Sequence, residues 1–303
     1  MHDILIIGAG PAGMTAAIYA RRAGKTVLVL EAGSFGGQII NTPEIENYPA
    51  AAHISGYDFA TRLYDQAVEL GAEFVFEKAV GVTDSGSEKT VVTTKNSYTA
   101  RAVIIATGSE NRKLGLPEED KLVGRGISYC ATCDGAFYRG KTAAVVGGGN
   151  TALEDALYLS DLAEKVYLIH RRESFRGEAA TLAKLREKPN VTFILGSNVT
   201  KLNAGKKLNS IEVTDSSGAV TELAVDGLFV AVGRTPENQN FAAVMELDAA
   251  GYAVAGEDCK TASAGIFVAG DNRTKAVRQL VTAAADGAAA ATAAVHYLEA
   301  VSQ

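Results

Sequence analysis

Cys130 and Cys133 are separated by two residues in the stretch Cys130-Ala131-Thr132-Cys133-Asp134. A pair at that spacing can close a small disulfide ring, and such motifs often carry one thiol of lowered pKa. The chain has 3 cysteines in all, too few for a disulfide framework. The other chemistry open to the pair is half of a structural metal site, which needs four ligands. Cys259 stands far away with no second cysteine beside it, and His2, His53, His170 and His296 show no ligand spacing. The residues favour electron transfer through the two sulfurs over metal binding.

Electrons need a carrier, and two stretches read as places to hold one. Residues 3–8 form an apolar run, read as a buried strand, that enters Gly8-Ala9-Gly10-Pro11-Ala12-Gly13. A helix is predicted over 12–23, ended by Gly24, and a second strand over 26–30 ends at Glu31. Glycines let the backbone turn and approach a pyrophosphate, the helix N-terminus offers it N–H groups, and the acid accepts from ribose hydroxyls. A bare Gly-x-Gly-x-x-Gly is a weak signal. With strand, helix, strand and acid in order it becomes a dinucleotide fingerprint.

The unit recurs. A strand over 142–147 enters Gly147-Gly148-Gly149-Asn150-Thr151-Ala152, a helix is predicted to about 162, and a strand follows over 165–169. His170 follows Gly147 by the same number of residues as Glu31 follows Gly8, so the two units superpose in register. The second replaces the acid with His170-Arg171-Arg172, and Arg176 lies one turn further on. Loss of a carboxylate and gain of guanidiniums suits a 2′-phosphate, which arginine pairs bidentately. The first unit is expected to take FAD or NAD, the second NADP.

The repeat also draws the domains. Residues 103–108, which include Thr107 and Gly108, close the first unit, and 228–233 close the second in the same style. A third such strand, over 265–271, has no counterpart in the second unit, so the C-terminal segment returns to the first. The expected architecture is α/β: two Rossmann-like, three-layer (ββα) nucleotide-binding domains, the second inserted in the first. The first spans 1–113 and 240–303, the second 114–239, with linkers near 111–117 and 234–240. Residues 74–101 and 191–226 alternate and carry turn residues, predicting small antiparallel sheets; a last helix is predicted over 277–300. The net charge of −6 argues against broad binding to nucleic acid or an anionic membrane surface. The run Ile4 to Ile7 is too short for a signal core, and few cysteines fit a reducing cytoplasm.

Taken together these residues resemble the low-molecular-weight thioredoxin reductases, FAD-dependent and NADPH-linked. The most specific pieces are Cys130-Ala131-Thr132-Cys133-Asp134, Gly147-Gly148-Gly149-Asn150-Thr151-Ala152 followed by His170-Arg171-Arg172, and Gly270-Asp271 followed by Arg278-Gln279. Gly36-Gly37-Gln38 and Glu46-Asn47-Tyr48-Pro49 also match family FAD contacts. High-molecular-weight relatives hold the disulfide in the FAD domain; the loop after Glu31 has no cysteine, which points to the small class. The loop Ala50-Ala51-Ala52 departs from the family, with Ala50 where a glycine is common.

The resemblance implies a division of labour. Asp271 would bind the FAD ribityl or phosphate groups, Gln38 and Asn47 the flavin ring or ribityl chain, and Arg278 and Gln279 would begin the last helix beside the reduced flavin. Cys133 would face the flavin, Cys130 would attack the partner disulfide, and Asp134 would protonate a departing thiolate. Arg125 and Phe137 match positions that dock thioredoxin. The CxxC and the nicotinamide share one domain while the flavin belongs to the other, so the inserted domain would rotate on its linkers between half-reactions. A homodimer is implied by the family alone. Two other readings stay open: a flavin-dependent reductase of another dithiol protein, glutaredoxin-like or of a peroxiredoxin system, and a non-catalytic flavin-binding redox sensor. The absence of a thioredoxin-like N-terminal domain weighs against the peroxiredoxin system, and the retained NADPH fingerprint weighs against a ferredoxin-dependent relative.

Overall fold

In the computed structural model, residues 1–42, 44–51 and 53–301 are described. Ala52 of the departing loop and the last two residues of the expected first domain lie outside them. The chain divides into two compact units, residues 1–110 with 235–303, and residues 111–234.

The first unit opens with β1 (His2–Ile7), α1 (Pro11–Arg22) and β2 (Val27–Leu30), then α2 (Gly56–Glu69) and β3 (Glu73–Val75). Next come β4 (Ala79–Asp84), β5 (Lys89–Thr93) and β6 (Ser97–Ile105). The strands form one sheet in the order β3-β2-β1-β6-β5-β4. β1, β2, β3 and β6 run parallel, while β5 and β4 turn back antiparallel from the first half of β6. The antiparallel pair expected over 74–101 therefore extends the main sheet, and residues 73–75 are a parallel strand. Helix α2 supplies the crossover that a parallel strand requires.

The chain leaves through β7 (Ser109–Asn111) and passes α3 (Glu119–Leu122), β8 (Ile127–Ser128) and the single turn α4 (Ala131–Asp134). It continues as β9 (Thr142–Gly147), α5 (Asn150–Ser160), β10 (Lys165–Ile169), α6 (Ala179–Arg186) and β11 (Val191–Ile194). Then come β12 (Ser197–Ala204), β13 (Leu208–Asp215), β14 (Val220–Ala224) and β15 (Gly227–Ala231). A parallel sheet, β11-β10-β9-β15-β8, faces the antiparallel sheet β12-β13-β14 across an apolar layer. Residues 191–194 thus join the parallel sheet after α6, contrary to the antiparallel expectation; 197–224 are antiparallel.

The return strand β16 (Arg234–Pro236) pairs with β7 as a two-stranded ribbon. The chain changes unit within this ribbon, at 110/111 and 234/235. The first unit is then completed by β17 (Ile266–Val268), which adds parallel to the second half of β6, and by α7 (Leu280–Ala300).

Alternation along the strands explains the layers. Ile4, Ile6, Val27, Val29 and Ile104 face α1 and α7, whose alanines allow close packing. Leu5, Ile7, Leu28, Leu30 and Ile105 face the opposite side, against Phe241, Val244 and Met245. In the second unit Val145, Leu168 and Phe229 meet Leu153, Ala156 and Leu159 of α5.

Candidate active site

Cys130 is the N-cap of α4, with extended backbone (φ −150°, ψ 102°), and Cys133 lies one turn on. That spacing brings their Cα atoms to 5.3 Å, and the two are disulfide-bonded and half-buried. Neighbouring side chains hold the turn. Ser128 Oγ accepts the Cys130 N–H at 3.1 Å and donates to Asp134 Oδ2 at 2.6 Å, which fixes the acid beside the pair. Tyr129 donates to Glu119 Oε1 at 2.9 Å. Burial, reinforced by Glu119, pushes the Tyr129 phenol up, so it stays a donor. Burial followed by the charges of Asp134 and Asp226 pushes the Tyr138 phenol to about 12.

In the first unit β1 turns into α1 at Gly8 (φ 107°), where a Cβ would run into the Ala106 carbonyl. Gly10 caps the helix with extended backbone, Pro11 takes the first helical position, and Ala12 and Gly13 follow within the buried first turn. The Glu31 carboxylate accepts Ala9 N–H at 2.8 Å and Gly33 N–H at 2.9 Å, so the acid is fixed at the strand end. Gly37 stands over Gly10, while Gln38 lies exposed on the same short 3-10 turn. Thr107 and Gly108 follow β6, and Thr107 Oγ1 accepts from Asn272 at 3.2 Å. Gly270 and Asp271 follow β17. Gly8, Glu31, Thr107, Gly108, Gly270 and Asp271 thus lie just past the C-terminal ends of the adjacent parallel strands β1, β2, β6 and β17, where α/β sheets bind ligands.

Arg278 and Gln279 precede α7 rather than beginning it. Gln279 is its N-cap, in a capping box with Thr282, and Asn47 Nδ2 donates to Gln279 Oε1 at 3.1 Å. Two residues that the sequence assigns to one site from opposite ends of the chain are therefore in contact. Arg278 stacks over the Tyr252 ring at 4.2 Å.

The second unit repeats the turn. Gly147 (φ 154°) would drive a Cβ into the Ala231 carbonyl, Gly149 caps α5, and Asn150 Oδ1 accepts the Glu178 N–H at 2.8 Å. Thr151 is exposed in the first turn of the helix. Arg171, Arg172 and Arg176 are exposed in the loop after β10, and the Arg176 N–H returns to the Gly148 carbonyl at 2.8 Å. His170, in contrast to the arginines after it, is buried. It is 5% exposed, stacks on Phe175, and leaves Nε2 buried without a protein partner. Burial first, then the three arginines, lowers its pKa, so it stays neutral.

Comparison with known proteins accords with this geometry. The family described as pyridine nucleotide-disulphide oxidoreductase matches residues 2–287. The chain belongs to that family. It is 42% identical to the thioredoxin reductase of Listeria innocua, across 99% of this chain and 94% of the relative. It is 40% identical to that of Bacillus subtilis, across 99% and 95%. Among solved structures, thioredoxin reductase from Streptococcus pyogenes superposes with a TM-score of 0.94 at 40% identity, covering 99% of both chains.

As a member of the pyridine nucleotide-disulphide oxidoreductases, the protein also carries site-supporting residues that motif reading passed over. Asp286 accepts the Gly270 N–H at 2.9 Å, two bonds from Arg273 at 2.7 and 2.8 Å, and one from Lys275 at 2.9 Å. Burial works to raise this carboxyl, but the bonds from Arg273 and Lys275 outweigh it and hold it low. The signal in the sequence was an acid set inside the alanine run of the last helix. Glu119, 2% exposed, accepts the Leu114 and Gly115 N–H groups besides Tyr129, tying the entry segment to the residue before Cys130.

Proposed function

We propose that the protein is an NADPH-dependent thioredoxin reductase that uses FAD. The observation that carries this reading is a disulfide-bonded Cys130–Cys133 turn in the unit that also holds the arginine-flanked dinucleotide turn, while the acid-type turn lies in the other unit. The residues fit both cofactors. Nothing stands within 4 Å of where a Cβ would lie on Gly10, Gly108 or Gly149, which leaves the turns open to a diphosphate. In the first unit Gly8, Gly10, Pro11, Ala12, Gly13, Glu31, Gly37, Gln38, Asn47, Thr107, Gly108, Gly270, Asp271, Arg278 and Gln279 would hold FAD. In the second, Gly147, Gly149, Asn150 and Thr151 would hold the NADPH diphosphate, with Arg171, Arg172 and Arg176 at its 2′-phosphate and neutral His170 packed beneath the turn. When bound, the two cofactors supply a hydride donor and a two-electron carrier.

The chain's own residues do the rest. Cys130 attacks the thioredoxin disulfide, Cys133 resolves the mixed disulfide, and Asp134, held by Ser128, gives the proton that the departing thiolate needs. Arg125 and Phe137 are exposed and available to thioredoxin. The inserted unit rotates between half-reactions, and the protein works as a homodimer in the cytoplasm. No helix among the described residues is long and apolar enough to cross a membrane. The test is whether the yellow, FAD-loaded protein oxidises NADPH only when thioredoxin is present. Turnover with glutaredoxin or a peroxiredoxin instead would transfer the reading to that partner; no turnover with any disulfide would leave the sensor.

A further inference from the structure

Ser128 ends β8 and is 3% exposed. Its oxygen accepts the Cys130 N–H at 3.1 Å, and it lies 2.6 Å from Asp134 Oδ2 and 3.3 Å from the Cys130 carbonyl oxygen. The last two are both acceptors, whereas a hydroxyl has one hydrogen and two lone pairs. Ser128 therefore donates to one of them at a time. The bond to an ionised carboxylate is charge-assisted, so ionised Asp134 takes the hydrogen. A proton on Oδ2 reverses that bond, because two hydrogens do not fit between oxygens 2.6 Å apart. The acid then donates to Ser128, and the hydroxyl hydrogen turns to the Cys130 carbonyl. In both states the Ser128 oxygen keeps the Cys130 N–H, and no heavy atom need move. That carbonyl opens the turn bearing the two sulfurs, where it also receives the Asp134 N–H at 3.1 Å and the Cys133 N–H at 3.3 Å. The ionisable groups on elements around the acid are Glu154, Asp155 and Tyr158 on α5, Tyr138 in the turn after α4, and Tyr129 bonded to Glu119.

We propose that Ser128 is a positioning residue for Asp134 whose single hydroxyl hydrogen changes acceptor with the state of the acid: Asp134 Oδ2 when it is ionised, the Cys130 carbonyl when it is protonated. The reduced pair gives two electrons to the substrate disulfide and closes its own ring, and each of the two thiolates released takes one proton. When Asp134 supplies a proton, the carboxylate left behind is met at once by the Ser128 hydroxyl, so the acid stays in place beside the pair. Half-buried Asp134 recovers its proton from water. A neighbour that could only donate, or only accept, would satisfy one state of the acid and leave the other unmatched. This role rests on Asp134 being the acid of the proposed function, but not on which disulfide protein is the substrate.

The experiment follows the oxidised, FAD-loaded protein by NMR as pH is lowered, with labels on cysteine carbonyl carbons, alanine nitrogens and aspartate carboxyl carbons. Cys130 is followed by Ala131, Cys133 by Asp134 and Cys259 by Lys260, so the Cys130 carbonyl is the one coupled to a labelled nitrogen. The Asp134 carboxyl is the signal lost in Asp134→Asn. In wild type the Cys130 carbonyl should move downfield, as an added donor requires, with the same midpoint as the Asp134 carboxyl. In Asp134→Asn it should stay put, which excludes Asp155 as the cause. In Ser128→Ala it should also stay put, while the Asp134 midpoint rises by about one pH unit because the lost bond favours the ionised acid. Ser128→Thr keeps a hydroxyl and should restore both. A brace that never changes acceptor leaves the carbonyl unmoved in wild type, which overturns the proposal, as does movement that persists in Ser128→Ala. Should Ser128→Ala not fold, movement in wild type with none in Asp134→Asn supports the proposal, and any other pairing overturns it. Thioredoxin turnover undiminished in Asp134→Asn would sink the acid's part in the proposed function and the positioning role with it. Turnover lost there with an unmoved carbonyl overturns the role of Ser128 alone.

Discussion

The two dinucleotide turns share a backbone and differ at one contact. In both, a strand ends in a left-handed glycine pressed against the carbonyl of a neighbouring strand, Ala106 for Gly8 and Ala231 for Gly147. In the first, the Glu31 carboxylate receives the N–H of Ala9, the second residue of the turn. In the second, His170 occupies the matching place, and its ring fills the space a Cβ on Gly148 would need. A carboxylate that reaches only the N–H tolerates alanine there; an imidazole lying over the backbone does not. The residue at the strand end therefore dictates the second residue of the turn. In the proposed function, the charge that would select the nucleotide passes to the arginines after it.

The sharpest way to break this comparison is at the feature only the second unit has. Cys130→Ser or Cys133→Ser should lower thioredoxin turnover about a thousandfold or more, because neither variant can reform the ring, while FAD content stays unchanged. Substantial turnover by either variant would refute the assignment. On the first unit, Asp286→Ala leaves Arg273 and Lys275 buried without their acid, and unfolding titrations should find about 3–5 kcal/mol lost. The Asp286 carboxyl is held below its usual value in the folded protein. Its contribution is therefore complete above the unfolded value near 4 and is lost as pH falls below that. Wild type and variant should converge in acid melts and separate at neutral pH.

Smaller effects sharpen the contrast between the strand ends. Arg171→Ala and Arg172→Ala should each cost about 1.5–3 kcal/mol of charge-assisted contact. Steady-state kinetics with both nucleotides should then find roughly a tenfold or greater loss of preference for NADPH over NADH for each. Gly148→Ala must displace the His170 ring at about 1–3 kcal/mol, whereas Ala9→Gly should cost only about 0.5–1 kcal/mol. Equal melting shifts for these two variants would show that the turns do not differ as described.

Much of this was legible because the turns are written in local code: glycines where the backbone is left-handed, apolar runs where strands are buried, and an acid or arginines at fixed spacing. What escaped is long-range. Residues 73–75 and 191–194 alternate like antiparallel strands, yet the helix before each returns the chain to a parallel edge. Helix α7 begins three residues later than its apolar pattern suggests, because Arg278 stacks on Tyr252 and Gln279 turns to cap the helix and meet Asn47. The sequence places His170 beside two arginines but not its burial against Phe175, which, with those charges, lowers its pKa. Asp286 drew no notice because its partners, Arg273 and Lys275, sit in the preceding loop.

The placement of β17 and α7 at the far end of the chain has a consequence for biosynthesis. Ribosomes add about 5–20 residues each second, so residues 235–303 emerge several seconds after the rest. Until then β6 lacks its β17 neighbour, and the alanine-lined face of α1 lacks α7. The unit from 111 to 234 is contiguous and has its complete sheet by then. A stalled or truncated chain would therefore carry a finished dithiol unit tethered to an open one whose bare helix face is a target for chaperones and proteases.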